Sequence, residues 1–207
     1  MRQKIAAIGL RLLEAKEKKL IKFLGRKIYV CPHVFDPRYI FTTKFFGKTL
    51  RFKSKKVLEI GTGTGILSII AAEKAKEVLA VDINPFAVKC AEDNVKLNKL
   101  KNIKVILSDL FSKVKGKFDL IIFNPPYLRG KPDRLIESAY YDNGILIRFF
   151  EQAKKYLNKE GKILLLYSSI ANKQRLEKFI KEKEYNFKII AKKHGLFENF
   201  FIYEIFK

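Results

Sequence analysis

From residue 56 onward, short apolar runs alternate with longer amphipathic stretches, and this alternation limits the fold more than any other feature. The apolar runs predict strands at 57–60, 78–82, 103–107, 119–123, 162–167, 186–192 and 199–206. The stretches near 65–75, 85–98, 143–158 and 171–183 predict helices. Strands that are apolar throughout are typical of a parallel sheet covered on both faces. We therefore expect an α/β fold with a mostly parallel seven-stranded sheet and an antiparallel C-terminal edge hairpin.

The residues before this pattern form a predicted N-terminal extension, so we divide the chain into 1–55 and a main domain over 56–207. The extension comprises a basic amphipathic helix over 3–24 that ends at Gly25, a short strand or hairpin over 26–36, and a turn into a short helix over 39–50. The basic helix is compatible with covering the core, binding nucleic acid or lying on a membrane surface. The sequence leaves these alternatives open.

The charge of the chain is strongly positive. Forty-three Lys and Arg oppose 21 Asp and Glu, which gives a net charge of +22. Such an excess favours an anionic partner such as RNA. A Lys-rich composition is equally typical of thermophilic proteins, so charge alone does not identify the partner.

The cysteine content and the hydropathy pattern exclude several protein classes. Two cysteines, Cys31 and Cys90, are too few for a disulfide scaffold or a cysteine-rich zinc site, so we expect inert thiols and no metal. No stretch approaches the 18 apolar residues of a membrane span. We expect a cytoplasmic protein without a signal peptide or a membrane segment.

A glycine-rich turn follows the first strand of the main domain, over residues 59–65 with the sequence EIGTGTG. Glycines permit a tight strand-to-helix turn and let a ligand lie against the backbone. Asp82 ends the second strand, where a carboxylate can accept both ribose hydroxyls of a nucleoside. Ile66 stands where a nicotinamide-binding enzyme would carry its third glycine. These residues predict a pocket for a different nucleoside cofactor.

The fourth strand runs into Asn124, Pro125, Pro126 and Tyr127. Consecutive prolines fix the backbone and remove two N–H donors, so this turn accepts hydrogen bonds rather than donating them. The Asn124 side-chain oxygen and the Pro125 carbonyl can together hold both hydrogens of a planar NH2 group, while the Tyr127 ring stacks on its face. The motif therefore predicts a site for an amide or an exocyclic amine.

The order and spacing of these motifs resemble the class I S-adenosyl-L-methionine (AdoMet)-dependent methyltransferases, and within them the HemK/PrmC-like methyltransferase small domain family with its NPPY motif. The resemblance covers about residues 28–207 and implies a Rossmann-like fold, AdoMet as cofactor and methyl transfer to nitrogen. The cofactor-binding residues that it implies are Glu59, Gly61, Thr62, Gly63, Gly65, Asp82, Ile83 and Asp109. The catalytic residues that it implies are Asn124, Pro125 and Tyr127, with Pro126 also contacting the substrate.

The resemblance leaves the methyl acceptor open between two classes. A glutamine amide of a peptide release factor is favoured by the end of the chain, KKHGLFENFFIYEI, which is similar to HemK-like sequences. An exocyclic amine of adenine or guanine in ribosomal or transfer RNA is favoured by the basic N-terminal region. It is also favoured by the lack of the family's acidic residue after Phe35-Asp36-Pro37. We expect the release factor, and a small zinc-binding activator subunit as a further partner. A basic RNA-binding module without activity is the alternative outside catalysis.

Overall fold

The computed structural model describes residues 15–38, 41–50, 52–126, 128–129, 135–139, 141–195 and 198–207. The first part of the helix predicted over 3–24 and the predicted stacking residue Tyr127 lie outside these ranges. Among the helices that are described, none is long and apolar enough to cross a membrane.

Eleven strands and five α-helices make up the described part of the chain. The strands are β1 (Lys19–Phe23), β2 (Arg26–Val30), β3 (Ser54–Ile60), β4 (Ala75–Asp82), β5 (Ile103–Leu107), β6 (Phe118–Phe123), β7 (Leu128–Arg129), β8 (Tyr141–Asp142), β9 (Leu157–Ser168), β10 (Asn186–His194) and β11 (Asn199–Phe206). The helices are α1 (Phe41–Thr49), α2 (Ile66–Ala72), α3 (Pro85–Leu97), α4 (Ile145–Tyr156) and α5 (Lys173–Glu182), with 3₁₀ turns at Leu135–Ala139 and Ser169–Ala171.

Seven strands form one sheet in the order β10-β11-β9-β6-β3-β4-β5. The five strands from β9 to β5 are parallel, and β11 is antiparallel to both β9 and β10. The predicted α/β fold with a mostly parallel seven-stranded sheet is confirmed, as is the C-terminal hairpin. β10 is the edge strand of that hairpin, and β11 lies inside the sheet. Two small sheets, β1-β2 and β7-β8, complete the fold.

The hydrophobic core has two layers, one on each face of the sheet. The first contains Phe149 of α4 and Ile180 of α5, with the Phe149 ring 4.7 Å from that of Phe123 in β6. The second contains Ile28 of β2 and Phe46 of α1 together with side chains of α2. The N-terminal segment therefore packs on the sheet. The proposed boundary between 1–55 and 56–207 stays a prediction.

The helix predicted through residue 24 is wrong over its described end, where Lys19–Phe23 is a strand. Ile21 and Phe23 are buried while the residues between and before them are exposed, which is the two-residue period of a strand. Leu24 and Gly25 follow with positive φ angles of 48° and 82° and form a two-residue hairpin turn into β2. Gly25 therefore turns a hairpin rather than ending a helix. The strand or hairpin predicted over 26–36 and the short helix predicted over 39–50 are confirmed by β2 and α1.

The expectation of two unpaired thiols is also wrong, because Cys31 and Cys90 form a disulfide with their Cα atoms 5.8 Å apart. The bond joins the end of β2 to the middle of α3. Intracellular disulfides are common in hyperthermophiles, whose Lys-rich composition this chain shares.

Reduction of the Cys31–Cys90 disulfide should lower the free energy of unfolding by about 4 kcal/mol, because the bond joins residues 59 positions apart and restricts the unfolded chain. Urea unfolding followed by circular dichroism, with and without a phosphine reductant, measures the difference. The double variant Cys31→Ser/Cys90→Ser should unfold at the same midpoint in both conditions. A wild-type midpoint that reductant does not move would contradict the bond.

Candidate active site

A cleft opens at the carboxyl ends of β3, β4, β5 and β6, where ligands bind in parallel α/β sheets. The predicted cofactor residues that line it are Glu59, Gly61, Thr62, Gly63, Asp82, Ile83 and Asp109. The predicted acceptor residues that line it are Asn124, Pro125 and Pro126. Four segments that are distant in sequence are thus brought into one site, as their positions after successive strands predict.

Gly65 is the predicted cofactor residue that does not line the cleft. It precedes α2 with φ +80°, and a Cβ added there would lie 3.0 Å from the Cβ of Ala91 in α3. Both the backbone conformation and the close packing require glycine at this position. Gly65 therefore seats the glycine-rich turn against α3, and its predicted contact with the cofactor stays a prediction.

Asn94 of α3 supports the site from behind the glycine-rich turn, and the sequence analysis did not identify it. Its side chain is fully buried, and its Nδ2 donates to the carbonyl oxygens of Thr64 and Tyr29, each at 2.8 Å. Its Oδ1 accepts from the Tyr29 backbone N–H at 2.5 Å. One amide group thus joins the glycine-rich turn, α3 and β2. The sequence did contain a signal for this role, because Asn94 is a polar residue on the apolar face of a predicted helix.

Glu59 lies beneath the glycine-rich turn, with only 2% of its surface exposed. Its Oε2 accepts a hydrogen bond of 2.7 Å from the Thr62 hydroxyl and another from the Ser68 hydroxyl. Burial raises the pKa of Glu59 to about 7, and the two hydroxyl donors oppose this rise. The side chain thus connects the end of β3 to the turn and to the first residues of α2.

Asp82 ends β4 and holds the opposite side of the same turn. Its Oδ2 accepts from the Gly63 N–H at 2.8 Å, and its Oδ1 accepts from the Asn84 N–H at 2.9 Å. Burial raises the pKa of Asp82, while these backbone donors lower it. The carboxylate lines the cleft, where it can accept a hydrogen bond from a ligand hydroxyl. The neighbouring Ile83 side chain is partly exposed at the rim.

Asp109 follows β5 and pairs with Arg148 of α4, with 2.5 Å between Oδ2 and the guanidinium Nη2. Both side chains are partly exposed. Arg148 was not identified from the sequence, because it belongs to a helix that follows more than 30 residues later. The ion pair orients the Asp109 carboxylate at the edge of the cleft.

The N-terminal segment supplies one wall of the cleft. Asn84 caps α3 by accepting from the Phe86 N–H, and its Nδ2 donates to the His33 carbonyl at 2.9 Å. The segment residues that line the cleft are His33, Val34, Phe35, Pro37, Thr42 and Thr43. None of them was among the predicted site residues. The wall is fixed to α3 by this hydrogen bond and by the Cys31–Cys90 disulfide.

The acceptor motif continues directly from β6, whose last residue Phe123 pairs with Leu165 of β9. Asn124 is half-buried, and Pro125 and Pro126 are buried. The cleft is closed on this side by Ile136, Ser138, Ala139 and Ile145. Asn124, Pro125 and Pro126 thus lie along a partly enclosed space beside the predicted nucleoside pocket.

Comparison with known proteins finds matches over most of the chain. The model of the family described as methyltransferase small domain matches residues 28–201. A Methanocaldococcus jannaschii protein that is named as a candidate protein N5-glutamine methyltransferase is 38% identical over 192 residues, which cover 88% of this chain and 96% of that protein. The ribosomal RNA small subunit methyltransferase C of Haemophilus influenzae is 34% identical over 143 residues, which cover 67% of this chain and 41% of that protein.

A solved structure has the same fold. A chain of the E. cuniculi Mtq2–Trm112 complex, which is responsible for methylation of the translation termination factor eRF1, superposes with a TM-score of 0.64 at 21% identity. The match covers 80% of this chain and 94% of that chain. At this level of identity the likeness concerns the fold alone.

Replacement of Glu59 by Gln should remove a pH dependence of stability. The pKa of Glu59 is about 7 in the folded protein, against an ordinary value of 4.5. As pH rises between these values, the Glu59 carboxyl is ionised in the unfolded chain but still protonated in the folded protein, so wild-type stability should fall. The glutamine side chain does not ionise, so the variant does not lose stability in this way. Its free energy of unfolding relative to wild type should increase by about 3 kcal/mol as pH rises between the two pKa values. Urea unfolding at a series of pH values measures this difference. The exposed control Glu160→Gln should follow wild type, and equal slopes for all three proteins would contradict the burial effect.

Proposed function

Since this chain belongs to the methyltransferase small domain family, we propose that it methylates the side-chain amide of a glutamine in a translation release factor. As a member of that family it is an AdoMet-dependent N-methyltransferase. The observation that carries the choice of a planar NH2 acceptor is that Asn124, Pro125 and Pro126 line the cleft, where two prolines in sequence offer carbonyl oxygens and no backbone N–H. The Methanocaldococcus relative, which aligns over nearly the whole length of both chains, supports a glutamine amide.

The residues of the cleft fit AdoMet. The Asp82 carboxylate lines the cleft as an acceptor for the ribose hydroxyls, and the adjoining turn offers bare backbone at Gly61 and Gly63. We assign Glu59 and Thr62 with that turn to the methionine end, Ile83 to the nucleoside, and Asp109 to the adenine amine. When bound, the cofactor supplies a methyl group that is already activated on a sulfonium.

The chain's own contribution to the reaction is orientation and charge stabilisation. We infer that the Asn124 Oδ1 and the Pro125 carbonyl accept the two N–H groups of the acceptor, with Tyr127 stacking on its plane. An amide nitrogen is a weak nucleophile because its lone pair is delocalised. As the nitrogen attacks, it gains positive charge and its hydrogens become more acidic, so both hydrogen bonds strengthen in the transition state.

Partner and location follow from the same proposal. A release factor acts in the cytoplasm, so we place the enzyme there. The E. cuniculi complex, in which a chain of this fold is solved together with Trm112, supports a small activator subunit for this protein. The zinc-binding character of that subunit stays a prediction. The sheet edges at β5 and β10 are where a partner strand could pair.

RNA methylation is the second candidate function. It is favoured by the net charge of +22 and by the ribosomal RNA methyltransferase that aligns with 67% of this chain. The same acceptor turn would then hold an exocyclic amine of adenine or guanine. The two functions share cofactor and chemistry, so only the labelled product separates them.

Incubation with methyl-labelled AdoMet and an extract of the source organism lacking this gene identifies the acceptor. We expect label that resists ribonuclease, is released by protease, and appears as methylglutamine after complete proteolysis. Label that ribonuclease removes would identify RNA, and not a release factor, as the methyl acceptor. AdoMet binding without any labelled product would indicate an inactive RNA-binding module.

Replacement of Asn124 by Ala should lower kcat by about 100-fold or more, because it removes one of two acceptors that stabilise the transition state. The AdoMet dissociation constant should change by less than about twofold, since Asn124 serves the acceptor side. Isothermal titration calorimetry and a methyl-transfer assay measure the two quantities.

The matched comparison is Asp82→Ala, which should weaken AdoMet binding by about tenfold or more through loss of the ribose contacts. Equal losses of binding and turnover in Asn124→Ala would contradict this division between the two residues.

A further inference from the structure

A second groove lies on the sheet where a covering helix is missing. The crossovers β3–β4, β4–β5 and β6–β9 each contain a helix, whereas residues 108–117, all of them described, connect β5 to β6 by turns alone. Part of one face of β4 and β5, at Leu79 and Ile106, is therefore only partly covered. Leu79, Ile106 and Phe118 contribute apolar side chains to the groove.

The rim of this groove is strongly basic. Its charged residues are Lys56, Lys101, Lys104, Lys113, Lys115, Lys117 and Glu77. Glu77 pairs with Lys56 at 2.8 Å. Within the described part of the chain, the other five lysines have no ion-pair partner, and all five are exposed. We call these five residues the groove lysines.

We propose that the groove lysines bind the phosphate backbone of RNA. Lysine is depleted in protein–protein interfaces, whereas nucleic-acid interfaces are rich in positive charge. Five cations gathered beside a single carboxylate, which already pairs with Lys56, repel one another and attract a polyanion. A lysine ammonium is a suitable point contact for a phosphate. The chemistry of the rim thus favours RNA over an acidic protein.

The position of the groove leaves the reaction site accessible. Most of its lining residues, including Lys101, Lys115 and Lys117, lie at or before the amino ends of the strands, whereas the AdoMet cleft lies at the carboxyl ends. RNA bound in the groove would hold the enzyme on an RNA-containing assembly while the acceptor enters at the opposite end of the sheet. This role does not depend on which acceptor is methylated.

Fluorescence anisotropy with a labelled oligouridine of about 20 nucleotides, at several salt concentrations, tests the proposal. If all five lysines contact phosphates, the plot of log K against log salt should have a slope of about −3.5. The variant Lys104→Glu/Lys113→Glu/Lys115→Glu should bind about tenfold or more weakly, with a slope shallower by about 2. The control Lys48→Glu/Lys178→Glu/Lys193→Glu has the same net charge at distant exposed sites and should bind within about threefold of wild type.

Unchanged AdoMet binding by both triple variants verifies that they are folded. Absence of RNA binding by wild type, wild-type affinity of the groove variant, or an equal loss in the control would each overturn the proposal. Displacement of the oligouridine by an oligoglutamate of equal charge, as readily as by unlabelled oligouridine, would assign the groove to an acidic protein instead.

Discussion

The cofactor cleft keeps its shape through the side-chain amide of Asn94. Both amide hydrogens and the amide oxygen are used within the protein, on Thr64 of the glycine-rich turn and on Tyr29 of β2. A turn rich in glycine has many conformations open to it, so an external contact must select one. Because that contact is buried and fully hydrogen-bonded, it also determines how the N-terminal hairpin sits against α3, and with it one wall of the cleft.

Two carboxyl groups partly or fully removed from water, Asp82 and Glu59, are the energetic cost of this arrangement. Burial raises the pKa of Glu59 and of Asp82, so each destabilises the folded protein when it is ionised. Backbone N–H groups and hydroxyls of the same turn offset part of that cost. The donors that stabilise the carboxylates are thus the groups that shape the turn, and the site is oriented before any ligand enters.

The sheet and most of the site were predictable because they depend on local patterns. β5 has the predicted bounds Ile103–Leu107, since a short apolar run between polar residues has few alternatives. β1 was misassigned because Leu20 and Leu24 also fit a helical spacing, and only packing of Ile21 and Phe23 decides between the periods.

Contacts between distant segments were beyond the sequence analysis. The Cys31–Cys90 pair spans 59 residues and the Asn94–Tyr29 contact spans 65. Such pairs form only after the hairpin docks on α3, and no periodicity encodes that docking.

β10 also depends on a segment that comes later in the sequence. β11 follows β10 along the chain and lies between β10 and β9 in the sheet, so β10 can pair only with β11. During synthesis β10 leaves the ribosome first and has no strand to pair with until β11 arrives. Its lysines, Lys188, Lys192 and Lys193, then protect a transiently unpaired strand from joining another chain.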